Sequence, residues 1–296
     1  MKEISMPETF PKITVVTPSF NQGSYLEETI LSVLDQNYPN LEYIIMDGGS
    51  TDNSIDIIKK YEHRFAYWKS SPDDGMYAAI QEGFEKSSGQ IMTWINSDDL
   101  LAKNSLCIVA QIFKDYPSVH WLNGIPNIID ESGKQTWVGN LPGWNKYRYL
   151  QMDFKYIQQE GIFWRRSLWE KAGSLISQGY RLAADLELWS RFFQYSELYF
   201  VTVFLGTFRM REKDQKSLER LNDYDTEAGE ILKQMPSTNE DEKYLAAQTD
   251  KGSYFLSRRQ KFDIEEAKVI LKKFPPPLLY DRLEKRFKLY NHPYPC

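Results

Sequence analysis

The chain is poor in the residues that build covalent or metal-held scaffolds. Its 296 residues contain two cysteines, Cys107 and Cys296, far apart in sequence. Two such thiols make no disulfide framework, which predicts a reducing, cytoplasmic setting. Cys107 lies in the apolar run SLCIVAQIF and reads as a small buried hydrophobe. The three histidines, His63, His120 and His292, show none of the spacings that chelate zinc. Long apolar runs are missing as well. The mean hydropathy is −0.54, and no stretch approaches the roughly 20 apolar residues of a membrane helix. The N-terminal segment MKEISMPETFPK has no apolar core, so no secretory signal is expected. No internal repeat or low-complexity tract interrupts the chain.

What is present is an ordinary globular composition, 42% hydrophobic and 26% charged, long enough for one large domain or a domain with an extension. Aromatic residues reach 15%, with 8 Trp and 19 Tyr, enough for both core filling and stacking surfaces. A net charge of −5 argues against non-specific nucleic-acid binding. That charge is uneven. Residues 258–296 carry ten Lys or Arg against five Asp or Glu, a tail of +5 on a body of about −10.

The first hundred residues alternate two periodicities. Ile13-Thr14-Val15-Val16-Thr17 is a short β-branched run stopped by Pro18, as in a buried parallel strand. Leu26, Ile30, Val33 and Leu34 then recur on one helical face. Tyr43-Ile44-Ile45-Met46 predicts a second strand, residues 53–61 a helix, residues 65–69 a third strand, 76–86 a helix and 91–95 a fourth strand. Strands separated by helices predict a doubly wound, mostly parallel sheet with helices on both faces. In such sheets ligands bind beyond the C-terminal strand ends. The polar clusters Thr17-Pro18-Ser19, Asp47, Asp73 and Asp98-Asp99 all fall there. Further on, the pattern predicts a helix at 105–113, a strand at 119–122, a hairpin over 127–138, and a strand at 161–164. A short helix at 167–172, a helix at 182–193 and a strand at 198–204 follow. Helices are expected beyond residue 212.

Each polar cluster admits a local reading beside a chemical one. Two adjacent carboxylates at a strand end repel each other unless a positive partner joins them. Asp98 and Asp99 therefore read equally as the cap of a following helix or as a site for a hard divalent cation. Asp52 reads as the cap of the helix from Asn53, whereas Asp47 stands too early for that and can accept an N–H from a nucleobase. Residues 17–23 follow the first strand without a Gly-rich dinucleotide fingerprint or P-loop, which removes support for hydride-transfer and NTPase readings. Asp185 opens a helix, where an acid suits the helix dipole or serves as a general base.

Taken together and in order, these motifs resemble the family 2 glycosyltransferases, nucleotide-diphospho-sugar enzymes of the GT-A fold. The residues that carry the resemblance are Val16-Thr17-Pro18-Ser19-Phe20-Asn21, Asp47-Gly48-Gly49-Ser50-Thr51-Asp52, Ser71-Pro72-Asp73-Asp74-Gly75-Met76-Tyr77 and Asn96-Ser97-Asp98-Asp99. Gln159-Glu160-Gly161-Ile162-Phe163-Trp164-Arg165-Arg166, Ala184-Asp185-Leu186-Glu187-Leu188-Trp189, Phe208-Arg209 and Gln215-Lys216-Ser217 are similar to the acceptor half of bacterial polysaccharide-type members. The resemblance spans about residues 12–217. It implies a GT-A-like α/β domain over 1–212 and leaves a helical C-terminal extension over 213–296.

By the same resemblance, Thr17, Pro18, Asp47 and Asp73 would hold the base and ribose of the donor. Asp98 would face the ribose or sugar, and Asp99 would bind Mn²⁺ or Mg²⁺ at the diphosphate. Gln159 and Glu160 would lie near the donor sugar or acceptor, and Asp185 would be the catalytic base of an inverting transfer. UDP-sugar is the expected donor because Asp47 suits uracil, with GDP- and dTDP-sugars as alternatives. The acceptor would be a saccharide or lipid-linked saccharide in cell-surface polysaccharide or glycolipid synthesis. This sequence departs from the family pattern at Asn96 (often Asp), at Ala78 and Glu82 (often Asp and Lys), and at Arg211, where relatives often carry His near the metal.

Two other classes compete. A nucleotidyltransferase would need a Gly-rich basic loop that residues 17–23 lack, and a non-catalytic sugar-nucleotide binding protein would not need Asp99 and Asp185. The basic tail reads as solvated helix surface. Its second reading is attraction to an anionic inner membrane face, with Phe274, Leu278, Leu279, Leu283 and Phe287 as apolar contacts.

Overall fold

The computed structural model describes residues 10–139, 145–150, 157–211, 219–236 and 275–290. The β-branched run near the N-terminus becomes β1 (Ile13–Ser19), buried along its whole length. The chain then alternates α1 (Leu26–Leu34), β2 (Leu41–Asp47), α2 (Ser54–Tyr61), β3 (Tyr67–Ser70), α3 (Met76–Glu85) and β4 (Ile91–Trp94). A two-residue β5 (Leu100–Leu101) leads to α4 (Ser105–Asp115), β6 (Trp121–Asn123) and the hairpin β7 (Asn127–Ile129) with β8 (Gln135–Val138). After α5 (Lys146–Leu150), the 3₁₀ turn Gln159–Gly161 opens β9 (Ile162–Arg165), followed by α6 (Arg166–Lys171) and α7 (Ala184–Phe192). The described chain continues through β10 (Tyr199–Phe200), β11 (Gly206–Arg209), α8 (Leu221–Gln234), β12 (Leu278–Asp281) and β13 (Arg286–Leu289).

The central sheet has the order β10-β6-β9-β4-β1-β2-β3. It is parallel except for β9, which runs antiparallel to both β4 and β6. Side chains alternate between two apolar layers, as the period of a strand requires. Val15, Ile45, Leu122 and Phe163 pack on the α1 and α4 face, and Val16, Ile44, Trp121 and Trp164 on the α3 and α7 face. Helices therefore cover both faces.

Register explains where the sheet opens. β1 pairs with β2 through Ser19 opposite Asp47, but with β4 only through Val16 opposite Trp94. Beyond that point Pro18 has no N–H to offer a neighbouring strand, and the β4 chain turns away through Asn96 to Asp99. A crevice is left at the C-terminal ends of β1 and β4.

Four tryptophans fill the layer beneath α7. Trp189 of α7 stacks on Trp94 of β4, with ring centroids 5.8 Å apart and planes 9° apart, and on Trp121 of β6 at 5.7 Å. Trp164 of β9 meets Trp94 and Trp189 edge-on. These indoles are at most 1% exposed. They are core, and they hold α7 to three strands of the sheet.

Two expectations changed. The strand expected over 198–204 is only β10. The chain leaves the central sheet there and re-forms as β11 in a second sheet, of order β5-β11-β7-β8. In the C-terminal extension, α8 is helical as expected, and its Ala228, Ile231 and Met235 join the core layer shared with α7. Residues 278–289, expected to be helical, form the β12–β13 hairpin. Tertiary packing accounts for this: Leu278 and Phe287, one from each strand, are buried in the α4-side layer. The Asp281 carboxylate accepts the turn N–H groups of Leu283 and Glu284 at 2.9 and 3.0 Å. Of the apolar residues expected at a membrane, Leu283 is 94% exposed at the turn, while Phe274 lies outside the described residues. Among the described residues no helix is long and apolar enough to cross a membrane.

At the opposite end of the sheet from the crevice, the buried Glu42 carboxylate ties three segments together. It accepts the Thr14 hydroxyl at 2.6 Å, the Ser88 N–H and hydroxyl each at 2.7 Å, and the Gly89 N–H at 3.1 Å. Burial alone would raise its pKa, but these donors prevail and hold it below the ordinary glutamate value. Its stabilisation is therefore present above the ordinary carboxylate range and is lost as pH falls through the lowered value. Replacing Glu42 by Gln turns an amide N–H₂ toward backbone and hydroxyl donors. We expect a loss of about 1.5–3 kcal/mol in chemical denaturation, with a smaller penalty in acid than at neutral pH.

Candidate active site

The crevice is floored by loops stitched to one another before any ligand arrives. The Asn21 side chain, at φ 51°, accepts the Thr51 N–H at 2.8 Å, and the Asn21 N–H reaches the Ser50 hydroxyl at 2.8 Å. The Gly23 N–H donates to Asp52 at 2.9 Å, while Asp52 also accepts the Ser54 N–H at 2.9 Å and so serves the start of α2, as expected. Thr17 is fully buried and shares a hydrogen bond with the Tyr43 hydroxyl at 3.1 Å. Pro18 is buried beside it at the end of β1.

Asp47 stands at the end of β2 and is 3% exposed. One of its oxygens accepts the Gly49 and Ser50 N–H groups and the Ser70 hydroxyl, at 3.0, 2.8 and 2.7 Å; the other accepts the Ser50 hydroxyl at 2.5 Å. The carboxylate thus shapes the loop that Gly49 turns at φ +83°. Asp73 is exposed and accepts the Gly75 N–H at 2.8 Å. Its carboxylate lies over Gly48, where a Cβ would come within 3.0 Å of it. Asp47, Gly48 and Asp73 therefore form one group on the β2 and β3 side of the crevice.

A second group forms on the β4 side. Asp99 is 1% exposed, and it does not cap α4; Asn104 stands at that helix start in a left-handed conformation without a side-chain cap bond. One Asp99 oxygen accepts the Arg209 backbone N–H at 2.8 Å, and the other accepts the Asn96 amide at 3.1 Å. The second half of the chain thus closes on the strand-end acids through β11. The Arg209 guanidinium, also buried, donates to the Asp98 carbonyl at 2.8 Å and pairs with Glu28 at 2.5 Å. Arg211 reaches the Asp98 carboxylate at 3.1 Å and leans over the Tyr25 ring. It stands at the edge of this acid cluster as a counter-ion to Asp98.

Gln159 and Glu160 come from the 3₁₀ turn before β9 and are 6% and 4% exposed. The Gln159 amide donates at 2.5 Å to the Trp94 carbonyl, just past the last β1–β4 register pair. Glu160 faces Asp99, and a hydrogen bond between the two carboxyls requires one shared proton. Burial, followed by the charges of Glu160 and Asp98, pushes the Asp99 pKa well above its ordinary value. Burial likewise pushes Glu160 up to about 7. Asp98 is raised by burial in spite of Arg211.

Asp185 occupies the first turn of α7, which the Trp189 stack holds against the sheet. The Tyr77 hydroxyl of α3 bridges the Leu182 carbonyl, at 3.0 Å, and the Asp185 carboxylate, at 3.3 Å. Burial pushes the Asp185 pKa up to about 6. Sequence reasoning missed Tyr77 as a partner of Asp185 and the Arg209 peptide as a partner of Asp99. Spacing carries no signal for either, because each pair is about 110 residues apart. Gln215-Lys216-Ser217 lies outside the described residues.

Among the described residues, no group of three or more His, Cys, Asp or Glu side chains is arranged to hold a metal ion by itself. The donor set nonetheless suits a hard cation supplied with other ligands. Burial raises the pKa of Asp98, Asp99 and Glu160, the charges of Glu160 and Asp98 raise Asp99 further, and a Glu160 oxygen there has no hydrogen-bond partner. Excess buried negative charge of this kind is relieved by a proton or a metal.

A central, mostly parallel sheet with one reversed strand, covered by helices on both faces, is a GT-A-like arrangement. The structure superposes on the crystal structure of Staphylococcus aureus TarS residues 1–349 in complex with UDP-GlcNAc. The TM-score is 0.60, at 15% identity over 88% of this chain and 79% of TarS 1–349. Residues 14–167 match Glycosyl transferase family 2. That is more than half of the chain, and the chain belongs to this family. An uncharacterized glycosyltransferase of Haemophilus influenzae is 38% identical over 99 residues, which is 32% of this chain and 40% of that protein. The putative teichuronic acid biosynthesis glycosyltransferase TuaG of Bacillus subtilis is 36% identical over 99 residues, again 32% of this chain and 39% of TuaG. The chain thus spans about two fifths of the length of these relatives.

The close passage of β11 under Glu160 gives a direct check. A Cβ on Gly206 would lie 1.9 Å from the Glu160 backbone oxygen, and two backbones cannot part there cheaply. Gly206→Ala is expected to cost about 1–3 kcal/mol through overpacking and to displace Glu160. An unchanged melting temperature in this variant would show that the passage is looser than described.

Proposed function

We propose that this chain is an inverting glycosyltransferase that moves a sugar from a nucleotide-diphospho-sugar, with UDP favoured, to a hydroxyl of a saccharide or lipid-linked saccharide acceptor. The observation that carries this reading is Asp185. It is a carboxylate on a rigidly anchored helix, steadied by Tyr77, with its pKa pushed up to about 6 by burial. An acid so tuned is a general base near neutral pH.

In the reaction, Asp185 takes the proton of the acceptor hydroxyl as that oxygen bonds to the anomeric carbon. The bond from the anomeric carbon to the diphosphate oxygen breaks on the opposite side, so the configuration inverts. Thr17, Pro18, Asp47 and Asp73 hold the base and ribose, with the Asp47 carboxylate already committed to keeping its loop in shape. Asp98, fixed by Arg211, faces the ribose and sugar. Asp99 is the residue that would hold Mn²⁺ or Mg²⁺, whose charge would neutralise the departing nucleoside diphosphate. Gln159 and Glu160 each keep a buried oxygen without a partner, free to accept sugar hydroxyls. The UDP preference draws support from the TarS complexes with UDP and UDP-GlcNAc. A role in cell-surface polysaccharide synthesis draws support from the naming of TuaG as a putative teichuronic acid biosynthesis glycosyltransferase.

Removing the base while keeping its shape tests the reading. Asp185→Asn should lower kcat by about 10²–10⁴-fold, the usual share of a positioned base, and leave donor binding intact. The sign of the pH dependence follows from the raised pKa. Only ionised Asp185 accepts a proton, so kcat should fall as pH drops through about 6, and the Asn variant should lose that limb. Full turnover by Asp185→Asn would refute the assignment.

A further inference from the structure

The loop that delivers Asp185 to the crevice is held by a residue of the C-terminal extension. Residues 181–183 run directly into α7, and their backbone N–H groups have no partner within that helix. Ala183 stands at the helix cap position, and its methyl side chain supplies no cap bond. The missing acceptor comes from α8. Glu227 accepts the Arg181 N–H on one oxygen at 3.1 Å and the Leu182 and Ala183 N–H groups on the other, both at 2.9 Å.

Opposite it, the Tyr77 hydroxyl of α3 donates to the Leu182 carbonyl at 3.0 Å. The tripeptide before Asp185 is thereby gripped from two sides. The grip is anchored, because Ala228, adjacent to Glu227, is fully buried and Ile231, one turn on, is 3% exposed in the layer shared with α7.

We infer that Glu227 is a positioning residue for the general base: it caps the start of α7 from outside the helix and thereby aims the Asp185 carboxylate at the acceptor hydroxyl. This rests on the reading of Asp185 as the base. The C-terminal extension then has a role in the transfer itself. A helix start left open at 181–183 would fray, and displacement of a reacting group by about 1 Å can cost roughly 10²-fold in rate. Glu227 also adds negative charge near Asp185. The titratable groups whose electrostatics couple to Asp185 are Tyr77 from α3, Tyr149 from α5, Glu160 from the turn before β9, and Tyr224 and Glu227 from α8. Of the two carboxylates among these groups, Glu227 is the one that hydrogen-bonds the segment carrying the base.

The test compares full-length wild type, Glu227→Ala, Glu227→Gln and Asp185→Asn. The readout is UDP release with Mn²⁺ and the best-used member of a panel of UDP-sugars, followed across pH, with melting temperatures in parallel. Glu227→Ala should lose about 10- to 100-fold in kcat with the donor KM unchanged. Glu227→Gln keeps one acceptor oxygen and should recover part of that loss. It should also move the acid limb of the kcat profile to lower pH, since a negative neighbour has been removed. A merely structural role would lower the melting temperature without moving that limb. If the Ala variant unfolds below the assay temperature, the Gln profile decides. Both Glu227 variants turning over like wild type, with Asp185→Asn inactive, would overturn the inference and leave the base in place. Full turnover by Asp185→Asn would overturn both.

Discussion

Burial of carboxylates at the end of β4 is the constraint on which the rest of this structure turns. Asp99 is nearly inaccessible, Glu160 faces it, and Asp98 stands beside it. Taking such charges out of water is expensive unless partners replace the lost solvation. The chain supplies those partners from distant segments: the Arg209 peptide from β11, the Asn96 amide, and the Arg211 guanidinium on Asp98. These contacts explain why the chain leaves the central sheet after β10 and returns through β11, and why Gly206 is needed where β11 passes the Glu160 carbonyl. What they leave uncompensated is negative charge between Asp99 and Glu160, which a shared proton relieves and which, in the proposed function, a cation would relieve in its place.

The opposite side of the crevice follows a different logic. Asp47 is buried too, but four donors from Gly49, Ser50 and Ser70 meet its oxygens. One acid therefore builds a loop, while the Asp99 and Glu160 pair stores an electrostatic demand. Residues of the same type at the same kind of strand end do different work because their surroundings differ.

Much of this was legible from the residues alone. Short β-branched and apolar runs and period-3.6 patterns place β1 to β4 and the helices between them, and the acids at strand ends mark the crevice. Whether Asp99 was a helix cap or a site residue could not be read from spacing. The cap reading is removed by a bond to Arg209, 110 residues away, and by Asn104 standing at the start of α4. The same holds for Tyr77 and Asp185, and for Glu227 and the 181–183 loop. The β12–β13 hairpin was hidden because Leu278 and Phe287 find their partners in the α4-side layer, so tertiary burial overrode a local pattern that suits a helix equally well. The tryptophans, open to reading as ligand platforms, are instead the stack that fixes α7.

The central claim is that the Asp99 pocket holds its charge for a divalent cation that arrives with a nucleoside diphosphate. Calorimetric titration of UDP, with and without Mn²⁺, into the wild-type protein and Asp99→Asn tests it most directly. The account predicts that Mn²⁺ strengthens UDP binding to the wild type and has little effect on the variant. Equal UDP affinity in the presence and absence of Mn²⁺ for the wild type, or a Mn²⁺ effect that survives in Asp99→Asn, would contradict it.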